Sequence, residues 1–348
     1  MSKIWWETLA GPGKIVQDIY RSMINGRMLR VLISSDFPFI DEFRSACENR
    51  INRDIGRYTF DYIDFEQFTT TEVEIQDFIL KRFAREDDYR AYRPINNYFD
   101  YLFEKKILDK RAVWITGVPE DQSSILLKFQ ETLAKRSKGK IDHGILIVEV
   151  ITNSESRHET PNIDILNYSD YVSEFDVMLY ASLLTRERGL SVNWQKYYVY
   201  LVTSLSGLDP ELCEALIDDE VLYEAEPIAL IERHNKLQEE LFAGKVWKAQ
   251  IQLLLHLIEE ERCQFLDQHE EVLSRLIPIE DQFVGTIDNV SDLELRHIKN
   301  IVNNHTLAGI DHRAETRILF LLKVRNQLAH MVPISLKDVK ELIDKGVY

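Results

Sequence analysis

Three residues near the end of the chain have types and a spacing that could do chemistry together: Arg325, Asn326 and His330. An imidazole can take or give a proton near neutral pH, and a guanidinium can hold developing negative charge. They sit between Thr316 and Ser335, where Ile318, Leu321, Leu322, Val324 and Leu328 recur at three-to-four spacing and Pro333 follows. That pattern predicts one amphipathic helix ending just before Pro333. At about 100° per residue Asn326 and His330 fall on nearly one face, and Arg325, on the flank, is long enough to reach the same cleft.

Arg325-Asn-Gln-Leu-Ala-His330, near the end of a helical C-terminal region, resembles the Arg-x-x-x-x-His motif of HEPN domains. These are small helical bundles found in many bacterial RNases, toxins and antiviral effectors. The resemblance covers roughly the last third of the chain. It rests on the Arg…His spacing, the Asn after the Arg, the Leu-Ala before the His and the position on the penultimate helix. It implies a motif paired across a homodimer and RNA cleavage without a metal. His330 would be base or acid toward an RNA 2′-hydroxyl or leaving oxygen, Arg325 would stabilise charge on the phosphate, and Asn326 would orient the site. HEPN domains that keep the bundle and only bind or dimerise share the same fold. A second pair, Arg262 and His269, is looser in spacing and stands beside Glu259, Glu260 and Glu261. That charge would repel phosphate, so the pair reads as a solvated helix face.

Composition bounds the function. At 348 residues, 45% hydrophobic and 29% charged, the chain is an ordinary globular sequence with room for two sizeable cores. Its 42 basic and 58 acidic residues give a net charge of −16, which excludes a surface built for non-specific nucleic-acid binding. An RNA substrate would need a local basic cleft, with Lys323 and Arg325 to line it. Cys47, Cys213 and Cys263 stand singly, which reads as reduced, without structural zinc and cytoplasmic. The N-terminus lacks a signal pattern and no apolar run approaches membrane length, so no membrane partner is expected.

The elements ahead of the motif alternate. A helix is expected from Pro12 to Met23. Met28–Ile33 reads as a strand, followed by a helix through Ile40, Phe43, Cys47 and Ile51. Strand-then-helix units recur at Tyr58–Ile63 with a helix opened by Thr70 and Thr71, and at Ala112–Thr116 with a helix through Ile125, Leu126, Phe129 and Leu133. Another apolar strand, Gly144–Val150, follows. Continuous apolar strands alternating with helices imply a parallel sheet covered on both faces. From Asp176 to about Gly244 the pattern is wholly helical.

An α/β core followed by helices carrying Ser206-Gly-Leu-Asp-Pro210 resembles the core and helical lid of AAA-type or STAND-type ATPases, by element order. The chain departs from that family where nucleotide would bind. After the first strand stands Ser34-Ser-Asp-Phe-Pro-Phe39, with neither Gly nor Lys, and no strand ends in paired acids; Glu149 stands alone within its strand. Gly11-Pro12-Gly13-Lys14 has no strand before it and Ile15 after it, so it reads as a loop and helix start. The α/β part is therefore read as a degenerate P-loop NTPase-like fold that binds no nucleotide and serves as a sensor or scaffold, with an unrelated α/β domain as the rival reading.

Other polar stretches have plain readings. Thr116–Ser124 is expected to be a capped turn opening a helix. Arg186 and Arg188 end a polar helix, and the scattered histidines are read as surface or singly bonded. Glu226-Pro227 is expected to begin a helix through Ile231 and Leu237, with Ala243-Gly244 interrupting before the next. Ser291-x-x-Glu294 and Ser335-x-x-Asp338 read as capping boxes. Three regions follow: residues 1–175, the α/β core; residues 176–244, the helical lid; and residues 245–348, a HEPN-like bundle of about four helices.

The expected function is a metal-independent endoribonuclease of a bacterial antiviral-defence or toxin system, acting as a homodimer through the C-terminal bundle. RNA and other defence-system proteins are its expected partners. No cofactor and no metal site is assigned. The alternative is a non-catalytic dimerising adaptor.

Overall fold

The computed structural model describes residues 2–34, 37–54, 58–67, 71–95, 97–140, 143–152, 160–304, 310 and 312–344. The chain divides into two units, Met1–Asp176 and Val177–Tyr348.

In the first unit α1 (Ser2–Thr8) and α2 (Ala10–Ile24) precede β1 (Met28–Ile33). Then come α3 (Ile40–Asp54), β2 (Thr59–Asp64), α4 (Glu72–Phe83), α5 (Glu86–Ala91), α6 (Tyr98–Glu104), β3 (Arg111–Pro119), α7 (Ser124–Ser137), β4 (Ile145–Ile151) and β5 (Ile163–Asn167). The strands form one parallel sheet in the order β2-β3-β4-β1-β5. The unbroken apolar run of β1 is buried at every position, as a strand covered on both faces must be. On one face Ile79 of α4, Leu102 of α6 and Phe129 of α7 pack on Ile115 and Val148. On the other, Phe43 of α3 meets the Trp114 ring at 6.0 Å. Thr71 caps α4 as its sequence suggests: its hydroxyl accepts the Glu74 N–H at 3.4 Å, and its own N–H bonds the Glu74 carboxylate at 3.1 Å. Thr70 lies outside the described residues.

Two local readings are corrected. Thr116–Pro119 is not a turn: β3 continues to Pro119 through a register shift between Ile115 and Val118. And β5, too short and too polar to register as an apolar strand, pairs along β1.

Glu149 is fully buried in β4, and its isolation in the sequence is resolved in space. Arg44 of α3 donates to both carboxylate oxygens, at 2.9 and 2.7 Å, and the Trp114 indole N–H donates to one of them at 2.6 Å. Burial works to lower the Arg44 pKa, but the bonds and charge of Glu149 outweigh it and hold it above its ordinary value. Burial, with the Glu149 charge behind it, pushes the neighbouring Cys47 thiol well up, so that thiol stays protonated and unreactive.

The boundary of the second unit falls in the first turn of α8 (Glu174–Thr185). There follow α9 (Val192–Ser206), α10 (Pro210–Asp218), α11 (Val221–Glu224), α12 (Glu239–Gln268), α13 (Glu270–Ser274), a hairpin of β6 (Ile279–Asp281) and β7 (Gly285–Ile287), α14 (Leu295–Asn304), α15 (His312–Ala329) and α16 (Leu336–Asp344). The central element is α12, 30 residues long, against which α9, α15 and α16 pack. Gly244 does not interrupt it but lies inside its second turn. The helix expected after Pro227 is only a single tight turn, Pro227–Leu230; beyond it Arg233 and His234 both bond Asp219, each at 3.0 Å, which fixes the chain in turns. No helix among the described residues is long and apolar enough to cross a membrane.

Arg44→Ala would strand the buried Glu149 carboxylate, so the expected loss is about 3–5 kcal/mol. Urea unfolding should show the Arg44→Leu/Glu149→Leu double variant recovering much of that loss, because the uncompensated charge is then gone.

Candidate functional site

The motif helix α15 is fixed to its neighbours by polar contacts inside apolar packing. Ile318, Leu321, Val324 and Leu328 are its buried stripe. Beside Ile318, Arg317 grips Glu261 of α12 with two bonds of 2.7 and 2.5 Å and also donates to the Glu341 carbonyl at 3.2 Å. At the other end the Trp247 indole donates to the Leu328 carbonyl at 2.7 Å. Gln250, 1% exposed, both donates to the Ile334 carbonyl (2.9 Å) and accepts its N–H (2.8 Å).

The helix ends at Ala329. The Val332 N–H returns to the Gln327 carbonyl at 3.0 Å and the Met331 N–H to Leu328 at 3.2 Å, with Met331 left-handed at φ 61. This is the Schellman pattern, with a methionine where glycine is usual. It places His330 at the C-cap.

Arg325 and Asn326 are both exposed and line a cleft of about 520 Å³ with residues of α12 and α14. His330 is exposed but does not line it. The structure therefore joins two of the three motif residues in one cleft; His330, at the C-cap, still gives its N–H to the Asn326 carbonyl at 3.1 Å but is not among the residues that line it.

Four cations face this cleft: Arg262, Arg296, Lys299 and Arg325, with Glu259, Asp292 and Glu294 among them. Arg262 is occupied by Glu259 at 2.8 Å and by the Leu293 carbonyl at 3.0 Å. It is thus a buttress of the cleft rather than part of a solvated face, while His269 packs on the Phe265 ring. Arg296 pairs with Glu294 at 3.1 Å and Asp281 at 3.4 Å. Lys299 and Arg325 form no ion pair with any described residue, and the Asn300 and Asn326 amides stand beside them. Lys323, expected to line the cleft, instead pairs with Asp338 at 3.4 Å.

The wall carrying Lys299 is set by a cap the sequence did not suggest. Ser291 lies in a tight turn, Val290–Asp292, and the box expected with Glu294 does not form. Instead His297, 5% exposed, accepts the Glu294 N–H on Nδ1 at 3.0 Å and turns Nε2 to Asp281 at 3.2 Å. His297 is therefore doubly bonded and buried, not a surface histidine. Asp281 also accepts the Phe283 and Val284 N–H groups at 2.8 and 3.1 Å. The Phe283 bond leads in holding its carboxyl below the ordinary range; burial opposes this, and the Val284 bond, the Arg296 charge and His297 add to it. At α16 the expected cap does form, Ser335 accepting the Asp338 N–H at 3.2 Å.

The first unit was expected to lack a phosphate loop. Ser35 and Asp36 lie outside the described residues. Ligands of open parallel sheets bind beyond the carboxyl ends of the strands, but Phe37, just past β1, stacks on Trp6 at 5.4 Å and packs edge-on against Phe43 at 5.1 Å and tilted against Tyr168 at 4.7 Å. Gly11-Pro12-Gly13-Lys14 lies in the start of α2. The Gly11 N–H is taken by Asp176 at 3.0 Å, and a Cβ at Gly11 would lie 2.3 Å from the Tyr171 carbonyl oxygen. That glycine serves close packing. Arg188 is likewise structural, bound to Glu220 at 2.7 Å and to the Ile217 carbonyl at 2.9 Å. Among the described residues no group of three or more His, Cys, Asp or Glu side chains could hold a metal ion.

No family model matches the chain, and no curated protein does. Among solved structures it is similar to PCH-2 of C. elegans at 11% identity and a TM-score of 0.31, with 62% of this chain and 61% of that one covered. It is also similar to the Aeropyrum pernix ORC1 protein, solved in complex with DNA, at 11% identity and a TM-score of 0.29, covering 93% and 85%. At these TM-scores the likeness carries no inference about chemistry.

The lowered Asp281 carboxyl gives a pH test. Its folded pKa lies below the ordinary 3.8, so its contribution is full above that value and is lost as pH falls through the folded value. Asp281→Asn should melt below wild type at neutral pH, and the gap in Tm should close in acid below about pH 4.

Proposed function

We propose that this chain is a HEPN-type, metal-independent endoribonuclease of a bacterial antiviral-defence or toxin system, joined to a degenerate NTPase-like sensor or scaffold. The observation that carries this reading is the pair Lys299 and Arg325, which have no ion-pair partner among the described residues, with Asn300 and Asn326 in the same cleft. A phosphate needs positive charge not already neutralised and amide donors to orient it. In a protein of net charge −16, such a cleft is where an RNA backbone would be held.

Because His330 stands off its own cleft, a second copy supplies it in this reading, as the paired HEPN motif implies. His330 takes the proton of the 2′-hydroxyl, and the 2′-oxygen bonds to phosphorus as the bond to the 5′-oxygen breaks. That oxygen takes a proton from water and the protonated His330 gives its own back to solvent, leaving a 2′,3′-cyclic phosphate and a 5′-hydroxyl. Arg325 offsets the charge on the phosphoryl oxygens, and Asn326 orients them. The aromatic cluster beyond β1 supports assigning no nucleotide to the first unit.

The second reading is a non-catalytic dimerising adaptor. The position of His330 outside the cleft favours it.

Expression of wild type beside His330→Ala and Arg325→Ala separates the two. The nuclease reading expects toxicity and RNA fragments ending in 2′,3′-cyclic phosphate, with cleavage reduced about 10²–10⁴-fold in His330→Ala and by about 10²–10³-fold in Arg325→Ala. A soluble wild type that neither cuts RNA nor slows growth favours the adaptor. Lys299→Ala should weaken RNA binding across sequences and lower the salt slope by about one.

A further inference from the structure

The hairpin β6–β7 touches the cleft through Arg296 and carries an exposed aromatic ring that the folding of the unit does not use. Phe283 is 74% exposed and Val284, beside it, 59%. An apolar ring left in water at a loop tip is ordinary when the loop is loose; this one is pinned. The Asp281 carboxylate accepts the N–H groups of both tip residues and is itself held by His297 and Arg296. Gly285, at φ 82, closes the turn in a conformation that side chains disfavour. The Arg296 guanidinium lies over the Phe283 ring, 5.4 Å from its centroid, and the same arginine lines the cleft.

A ring on a pinned turn beside a guanidinium, where that guanidinium lines a cleft whose Lys299 and Arg325 have no ion-pair partner among the described residues, is the arrangement on which an unpaired base stacks while its phosphate is held. A duplex keeps its bases stacked on each other and presents none to such a ring. We infer that Phe283 is a stacking platform for one splayed base of the RNA whose phosphate lies against Lys299 and Arg325, so that the substrate is single-stranded or looped RNA. The inference rests on the phosphate-cleft reading of the same site. Asp281 and His297 are positioning residues: they touch no RNA and act by holding the tip.

The test uses the full chain and two probes: a short oligouridine carrying one 2-aminopurine, and a duplex RNA of the same length. Wild type should bind the single strand and quench the 2-aminopurine. Phe283→Ala should bind the single strand about 5- to 150-fold more weakly and lose the quenching, with duplex binding unchanged. Phe283→Trp should restore both. Phe283→Leu keeps apolar volume at the tip without a flat ring, so its failure alongside Phe283→Ala marks stacking rather than folding. If Phe283→Ala matches wild type while Arg325→Ala loses the single strand, the platform is wrong and the cleft stands. If wild type binds neither RNA, or Arg325→Ala binds as well as wild type, the cleft reading falls and takes the platform with it.

Discussion

The second unit depends on one ion pair in an apolar setting. Arg317 and Glu261 are 12% and 3% exposed, and each on its own would be costly to bury. Together, with two short bonds and a third to the Glu341 carbonyl, they form the fork-to-carboxylate geometry in which attraction offsets desolvation. The pair fixes how far along and how far around α12 the motif helix sits. A slide of one turn would part the two charges and leave the Glu261 carboxylate buried without Arg317, whereas the leucines of the same stripe would find other apolar partners. The ion pair thus sets the register, and the register decides that Arg325 and Asn326 face α14.

The first unit uses the same device for another purpose. Glu149 lies in the middle of its sheet, and Arg44 and Trp114 bring α3 and β3 to it. The opposite face holds a second polar knot, in which Arg30 bonds Gln130 at 2.8 Å and Glu131 at 2.9 Å, and Gln130 reaches the Leu29 carbonyl at 2.8 Å. Apolar packing alone tolerates a range of helix positions over a sheet. A buried polar group tolerates only those that satisfy it, so each helix layer is tied to the strands at a defined point.

How much of this was legible follows from what is local. The apolar runs of β1 and β4 and the stripe of α15 predict their own elements. Thr71 and Ser335 cap helices because a cap needs only residues three apart. Glu149 carried a signal, since a carboxylate amid Ile, Val and Leu must find a partner, but Arg44 is distant in the chain. Glu261 carried a subtler one: it occupies the stripe position between Ile258 and Phe265, although the acidic run around it looks solvated. The hairpin and the cleft were not legible. Ile279–Asp281 and Gly285–Ile287 are too short for a period, and Lys299 meets Arg325 only through the packing of α14 on α15. His330, at the C-cap of α15, is not among the residues lining the cleft that holds Arg325 and Asn326, and the helical spacing alone did not tell the three apart.

Gln250 has a consequence for how the unit breathes. By donating to the carbonyl and accepting the N–H of one residue, Ile334, its side chain does what a neighbouring strand would do for a peptide group. It is presented from the interior of α12 and is almost fully buried. The Ile334 amide proton can therefore meet solvent only when the chain lifts from α12. In hydrogen exchange it belongs with the slow protons of the core, although it lies in a connection between helices. The turn that carries His330 is thus tethered at both ends to α12, by Trp247 at the Leu328 carbonyl and by Gln250 at Ile334.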